Sequence, residues 1–527
     1  MVVSLPFMTD IVIFRKKFRN RPLNSLQNST FYYIIEIGLH GIIKSEETRL
    51  RPLFQGGSTV MKIMTKYYLA IDIGASSGRH ILSHIENGKM VLEEVYRFEN
   101  GMDEKDGHLV WDYKKLFANI VAGMKECKKL GKVPVSMGID TWGVDYALID
   151  GNGNVLGDVY AYRDSRTEKP IEELHSIVPF ETLYERTGSQ FQIYNTIYQL
   201  YTDKLSGKLD KAERFLMMPD FFNYLLTGVM KNEFTNASTT GLMSAKTREW
   251  DMQTVKELGL PEKLFGELSD PATLVGRLKP EIEEEVGYNL NVVLPATHDT
   301  ASAVMAVPEN GTPLYISSGT WSLLGIESPV AISTKEALEQ NFTNEGGYHR
   351  STRFLKNIMG LWMIQCVRRE YNKKYSWADF VKLSEEVKDF DSVVDVNDRC
   401  FLAPVSMIEA IRDYCRKTGQ KVPETPGEIA LCVYDSLAVC YKKAVETVEK
   451  VTGMHFDTIH IVGGGCQNGY LNLLTARRTG RKVEAGPVEA TAIGNILAQL
   501  LYDGAVTDIA AAKNLVKASF DVEEITA

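Results

Sequence analysis

The reactive side chains of this sequence gather where apolar runs end. Asn291-Val292-Val293-Leu294 reads as a short buried strand, and it leads into Pro295-Ala296-Thr297-His298-Asp299-Thr300-Ala301-Ser302-Ala303. The small residues after Asp299 open a helix, with Thr297 available as its cap. A carboxylate on such a strand-to-helix turn faces the crevice at the carboxyl end of a sheet, where α/β proteins bind ligands. An aspartate that merely caps a helix explains the same stretch. A second feature is Ile71-Asp72-Ile73-Gly74-Ala75-Ser76-Ser77-Gly78-Arg79: strand, small-residue turn, strand. It is no Walker loop, because no Gly-Lys-Ser/Thr comes after it and no helix starts there. Consecutive backbone N–H groups in such a turn can still form an anion-binding nest. The Asp entering the turn and the Arg leaving it favour phosphate over an ordinary hairpin. Leu314-Tyr315-Ile316-Ser317-Ser318-Gly319-Thr320-Trp321-Ser322-Leu323 repeats the device, which suggests two domains of related design.

The scaffold around these residues can be read from pattern. After the first turn, His80 to Ile85 is a second strand, Asn87-Gly88 a hairpin signal, and Met90 to Phe98 a third strand. Tyr113, Leu116, Phe117, Ile120, Val121, Met124 and Cys127 recur at helical spacing. Val135 to Ile139 forms a strand ending in Asp140-Thr141-Trp142-Gly143-Val144-Asp145, and Tyr146 to Val155 a further hairpin. The loop Tyr162-Arg163-Asp164-Ser165-Arg166 combines an aromatic, a carboxylate and arginines, as a polyhydroxylated ligand requires. Each residue alone also reads as a salt bridge or a loop anchor. Residues 168 to 290 read as mostly helical, with a polar break at Asn236. Lys356 to Gln365 reads as a helix beginning near the cleft, and Glu428 to Val451 as a long one. Thr458 to Val462 is a strand, Gly463-Gly464-Gly465 a turn that lets a ligand near the backbone, and Tyr470 to Thr479 a helix. Gly486 to Gly494 opens the last large helix.

Bulk properties narrow the class. With 527 residues the chain exceeds one ordinary core, so two domains, possibly three, are expected. A net charge of −9 gives no basic face for nucleic acid. No apolar run in residues 1 to 64 reaches the ~18 residues of a membrane span. The texture of those residues differs from that of the chain after Tyr67, and they are expected to lie outside the fold. Seven cysteines without a C-x-x-C pair fit a reducing compartment.

In this order, the segments resemble the FGGY family of carbohydrate kinases, from about Tyr68 to about Gly504. The resemblance rests on Asp72 to Arg79, Gly138 to Asp145, Tyr162 to Arg166, His298 to Ala303, Ser317 to Ser322, Asn357 to Trp362 and Gly463 to Asn468. It implies an α/β architecture: two ribonuclease-H-like domains of the actin-like ATPase (sugar kinase) fold with an interdomain active-site cleft. The domains would span 65–307, for sugar and phosphate, and 308–527, for nucleotide. By the same resemblance Ala75, Ser76, Ser77, Gly78, Arg79, Thr320, Gln365 and Gly464 would hold ATP. Gly143, His298, Asp299, Thr300 and Asn357 would hold a ketose. Asp299 would accept the proton of the attacking 1-hydroxyl, and Asp72 would orient Mg²⁺ through water. The tryptophan and Asn357 motifs point to L-rhamnulose as the sugar, with fuculose, xylulose or another polyol as alternatives. A non-catalytic actin-like ATPase is the alternative of another class. The expected partners are small molecules only, in the cytoplasm, with the chain a monomer or small homo-oligomer.

Overall fold

The computed structural model describes residues 65–527, and the expectation for residues 1–64 lies outside them. Two mixed sheets form its frame. The first contains β1 (Tyr67–Ile73), β2 (Ser77–Glu86), β3 (Lys89–Glu99), β4 (Pro134–Thr141), β5 (Thr273–Arg277) and β6 (Asn291–Leu294), in the order β3-β2-β1-β4-β6-β5. The second contains β7 (Leu314–Ser318), β8 (Trp321–Ser328), β9 (Thr343–Gly346), β10 (Thr352–Met359), β11 (Thr458–Val462), β12 (Lys482–Ala485) and β13 (Glu523–Ile525). Its order is β9-β10-β8-β7-β11-β12-β13.

Without its edge strand β9, the second sheet repeats the first strand for strand. In both, the first strand pairs antiparallel with the second, the second antiparallel with the third, and the first parallel with a later strand. That later strand pairs parallel with the next, which carries an antiparallel edge. The duplicated ribonuclease-H-like architecture expected from the sequence is therefore present in the backbone pairing. Each central strand reads as a continuous apolar run because both faces are covered: β1 is buried from Tyr68 onward.

Helices cover the sheets where caps and apolar faces coincide. Helix α1 (Tyr113–Lys129) starts at Asp112, whose side chain accepts the Lys115 N–H, and buries Leu116, Ile120, Val121, Met124 and Cys127. Gly123 on that face is required by packing: a Cβ there would lie 2.3 Å from the His80 ring. On the second sheet, α4 (Pro426–Thr452) begins with a Thr425/Glu428 capping box and ends at Gly453 in the left-handed region. Helix α2 (Asp299–Met305) crosses α5 (Ala490–Tyr502) between the sheets, where a Cβ on Gly494 would sit 1.8 Å from the Ser302 carbonyl oxygen. Polar groups of α5 also reach the first sheet. Asn495 Nδ2 donates to Asp140 at 2.6 Å, and Gln499 donates to the Leu69 carbonyl at 2.9 Å while accepting from Ser136.

Three local expectations need correction. Thr297 does not cap α2; His298 holds the cap position without a side-chain bond, and the Thr297 hydroxyl donates to buried Glu233 at 2.6 Å. Lys356 to Gln365 is not one helix: β10 runs to Met359, and a helix, α3 (Trp362–Glu370), comes after it. Gly360 separates them because its backbone lies against β8, where a Cβ would be 2.6 Å from the Trp321 carbonyl carbon. Residues 168 to 290 hold β5 and a strand at Ala212–Met217 among short helices, since pairing partners far along the chain outweigh local helical spacing.

Candidate active site

A cavity of about 320 Å³ opens between the two sheets. The turn after β1 reaches it with Gly74, Ala75 and Ser76, the turn after β7 with Gly319 and Thr320, and the turn after β11 with Gly463 and Gly464. Both hairpin turns are tight: Gly74 donates to the Ser77 carbonyl at 2.9 Å and Gly319 to the Trp321 carbonyl at 2.8 Å. Gly463 takes φ +86, a conformation that favours glycine, and a Cβ on Gly465 would be 2.1 Å from the Ser318 hydroxyl. Backbone N–H groups at such turns suit an anion.

One wall carries the charge. Asp72 Oδ2 accepts from Arg79 Nε at 3.0 Å and Nη2 at 2.8 Å, and Arg79 also pairs with Glu489 at 2.9 Å. Asp140 stands beside Asp72 in the β1–β4 register, wholly buried, with its carboxyl pushed well up by burial and by the Asp72 charge. Asp299 lies at the start of α2, where Oδ1 accepts the Thr300 N–H at 2.5 Å and the Thr300 hydroxyl at 3.1 Å. Burial raises its carboxyl above the ordinary range; neighbouring His298 opposes the shift and Asp72 adds to it. A carboxylate made more basic in this way is a better proton acceptor near neutrality. His298 Nε2 is 3.5 Å from Asp299 Oδ1.

The opposite end is aromatic, and one carboxylate organises it. Asp145 accepts the Trp111 indole N–H at 2.7 Å, the Trp142 indole N–H at 2.9 Å, the Tyr162 N–H at 3.1 Å and the Gln199 amide at 3.1 Å. Burial nevertheless raises its carboxyl from 3.8 to about 6. Trp142, Tyr162 and Tyr194 thereby form a fixed apolar wall, with Gln190 and Asn357 supplying polar groups. Gln190 Oε1 is buried without a partner, as expected of a group that awaits a ligand hydroxyl. Gly143 is a glycine for packing, since a Cβ would be 2.8 Å from the Thr239 side chain.

Models of both domains of the FGGY family of carbohydrate kinases match the chain, the N-terminal domain over residues 67–306 and the C-terminal domain over 314–501. A rhamnulokinase of Halalkalibacterium halodurans is 50% identical over 459 residues, covering 87% of this chain and 98% of that protein. Rhamnulokinases of Oceanobacillus iheyensis and Bacillus subtilis are 47% and 42% identical, each over 87% of this chain and over 98% and 95% of those proteins. The chain belongs to the FGGY family of carbohydrate kinases. Solved structures of this fold include a xylulose kinase from Rhodospirillum rubrum, with a TM-score of 0.69 at 17% identity, covering 88% of this chain and 94% of that one. A gluconate kinase from Lactobacillus acidophilus aligns with a TM-score of 0.68 at 14% identity over the same shares.

In this FGGY kinase the cavity brings together Asp72, Ala75, Ser76, Arg79, Gly143, His298, Asp299, Thr300, Thr320, Asn357 and Gly464. Ser77, Gly78 and Gln365 are not among its lining residues. Ser77 and Gly78 already belong to β2, and Gly78 is a glycine for packing, because a Cβ would lie 2.1 Å from the Phe98 ring. Gln365 lies within α3. The loop Tyr162 to Arg166 also needs revision, since only Tyr162 faces the cavity. Arg163 stacks on Trp362 at 4.5 Å and donates to the Leu402 carbonyl, Asp164 accepts from the Leu109 N–H at 2.8 Å, and Arg166 pairs with Asp203 at 2.8 Å. Three groups escaped sequence reasoning: Gln190, Tyr194 and buried Glu233, which takes the N–H and hydroxyl of Thr297 and so fixes the turn that carries His298. A glutamate placed two residues before Thr235 was the only local sign of the last.

Proposed function

We propose that this kinase transfers the γ-phosphoryl group of ATP to the 1-hydroxyl of L-rhamnulose, giving L-rhamnulose 1-phosphate and ADP in L-rhamnose breakdown. The observation that carries the reading is the placement of Asp299, a half-buried carboxylate of raised proton affinity, in one cavity with three small-residue turns and an aromatic wall. Relatives named rhamnulokinase at 42–50% identity supply the sugar.

Phosphoryl transfer asks for alignment and charge neutralisation more than covalent chemistry. The turns of the second sheet and the Gly74–Ser76 turn hold the phosphates through backbone N–H groups, with Thr320 and Gly464 at the nucleotide. The ketose packs against Trp142, Tyr162 and Tyr194, with its hydroxyls on Gln190, Asn357 and His298. Asp299 takes the proton as the 1-hydroxyl attacks, a step that general-base catalysis accelerates by ~10²–10⁴. Cover from both sheets keeps water off the phosphate.

Mg²⁺ fits this site only through water. Among the described residues no group of three or more His, Cys, Asp or Glu is arranged to hold a metal, but Asp72 uses only Oδ2 on Arg79. Its other oxygen can meet a hydrated ion, and Mg²⁺ usually binds through one or two carboxylates plus phosphates. When bound, the ion would neutralise phosphate charge. Functionally, residues 65–307 would carry the base and the sugar and residues 308–527 the nucleotide. No helix among the described residues is long and apolar enough to cross a membrane. Separately from that, we propose the cytoplasm as the location and a monomer or small homo-oligomer as the state of the chain.

An ADP-release assay over a panel of ketoses and polyols tests the proposal. L-rhamnulose should give the highest kcat/KM. A higher value with fuculose or xylulose would reassign the sugar, and no stimulation by any sugar would remove the kinase assignment for this chain.

A further inference from the structure

Arg353 on β10 is wholly buried and does not line the cavity. Its Nε donates to the Gly346 carbonyl at 2.8 Å, its Nη2 donates to Glu345 Oε2 at 3.0 Å, and the same Nη2 lies 3.0 Å from His298 Nδ1. Nη1 has no partner. A buried ion pair is at best weakly stabilising, and a buried unsatisfied nitrogen is destabilising, so stability alone does not account for this arginine. Burial, which would raise the Glu345 carboxyl, is outweighed chiefly by the charge of Arg353, and its carboxyl lies below the ordinary value.

We infer that Arg353, clamped by Glu345, is a positioning residue that fixes the neutral Nε2–H tautomer of His298 and so aims an N–H towards Asp299 and the sugar. A guanidinium offers only donors and stays protonated. The imidazole nitrogen that meets it at 3.0 Å must therefore present a lone pair. The ring proton then sits on Nε2, the nitrogen 3.5 Å from Asp299 Oδ1. A charged imidazolium would set N–H against N–H. Glu345 Oε2 approaches the same Nδ1 at 3.3 Å, and without Arg353 it would draw the proton to Nδ1 and leave Nε2 an acceptor. With Arg353 in place, that oxygen is occupied by Nη2. The His298 backbone adds to the fix, since its N–H donates to the Thr235 hydroxyl at 3.2 Å.

The geometry thus separates two tasks on adjacent residues. His298 donates and does not take a proton, while Asp299 accepts. Arg353 and Glu345 come from the second sheet and His298 from the turn after the first, so the tautomer depends on contact between the two. The catalytic use of this tautomer rests on the proposed sugar site; the tautomer itself does not.

The test is ¹⁵N NMR of the full chain labelled at histidine, with His298 assigned by the signals missing in His298→Gln. The expected spectrum has Nδ1 of His298 bare and Nε2 protonated, without any sugar present. A protonated Nδ1 in the wild-type chain overturns the inference. Arg353→Met should move the proton to Nδ1 and lower kcat roughly 10- to 100-fold, as loss of an orienting partner commonly does, with ATP affinity unchanged. Arg353→Lys, which keeps a cationic N–H donor, should retain the wild-type tautomer and most of kcat. A folded Arg353→Met that keeps Nε2–H would also overturn it, and should that variant not fold, the wild-type spectrum alone decides. If the tautomer is found as expected but no ketose stimulates ADP release, the proposed function fails and the clasp stands.

Discussion

The two hairpins that meet at the cavity share one backbone design and differ in charge. In the first sheet Asp72 pairs with Arg79 across the hairpin and with Asp140 on the parallel neighbour. At the corresponding places in the second sheet, Ser317 pairs with Leu323 and Val462. A carboxylate–guanidinium–carboxylate set on one side is thus replaced by a hydroxyl and two aliphatic side chains on the other. Duplication fixes where the turns point, and side-chain choice divides the labour. The acidic half can take a proton and meet a hydrated cation. The neutral half leaves backbone N–H groups as its main polar feature, which suits the phosphates of the proposed nucleotide; a carboxylate there would repel them.

The largest effect should come from removing the base on the acidic side. Asp299→Asn is expected to reduce turnover by about 10³-fold, within the range for a lost general base, as read by ADP release under saturating substrates. Reversing the asymmetry comes next. Ser317→Asp places a carboxylate where Asp72 stands in the other sheet, and should weaken ATP binding by about 2–4 kcal/mol, the interaction of like charges a few ångströms apart at an effective dielectric near 20.

A third change concerns the aromatic wall beside the acidic half. The Asp145 carboxyl, raised to about 6 in the folded chain, binds its proton more tightly there than in the unfolded chain. Its contribution to stability is therefore fully present below about pH 4 and is lost as pH rises through about 6. The difference in unfolding free energy between wild type and Asp145→Asn should shrink or reverse by on the order of 2–3 kcal/mol over that window, measured by urea titration at several pH values. The smallest effect is expected where the halves touch. Gly494→Ala puts a Cβ into the Ser302 carbonyl and should destabilise the fold by about 1–3 kcal/mol, seen as a lower Tm.

How much of this could be read from the sequence depends on the range of the interaction. The strands Asn291–Leu294 and Thr458–Val462 and the helix Gly469–Thr479 arise from local apolar pattern and caps, and the sequence reading places them within a residue. The paired hairpin turns were visible because glycine and serine clusters between apolar runs are local signals. Residues 356–365 were not, because a short apolar run suits strand and helix alike; contact of Gly360 with β8 decides it. Within the site, Asp299 and His298 stood out by type and place. Their supports did not: Glu233 lies 64 residues before Thr297 and Arg353 lies 55 after His298, and no periodicity connects them. For Arg166 the sequence left sugar ligand and salt bridge both open for the same reason, since its partner Asp203 is brought to it only by the fold.

Calorimetric titration of ATP into the wild-type chain, Asp299→Asn and Ser317→Asp is the sharpest test of the division between the halves. ATP should bind Asp299→Asn as tightly as wild type although that variant turns over about 10³-fold more slowly, and should bind Ser317→Asp far more weakly. Loss of ATP binding in Asp299→Asn, or normal binding in Ser317→Asp, would contradict the assignment of chemistry to one sheet and of the nucleotide to the other.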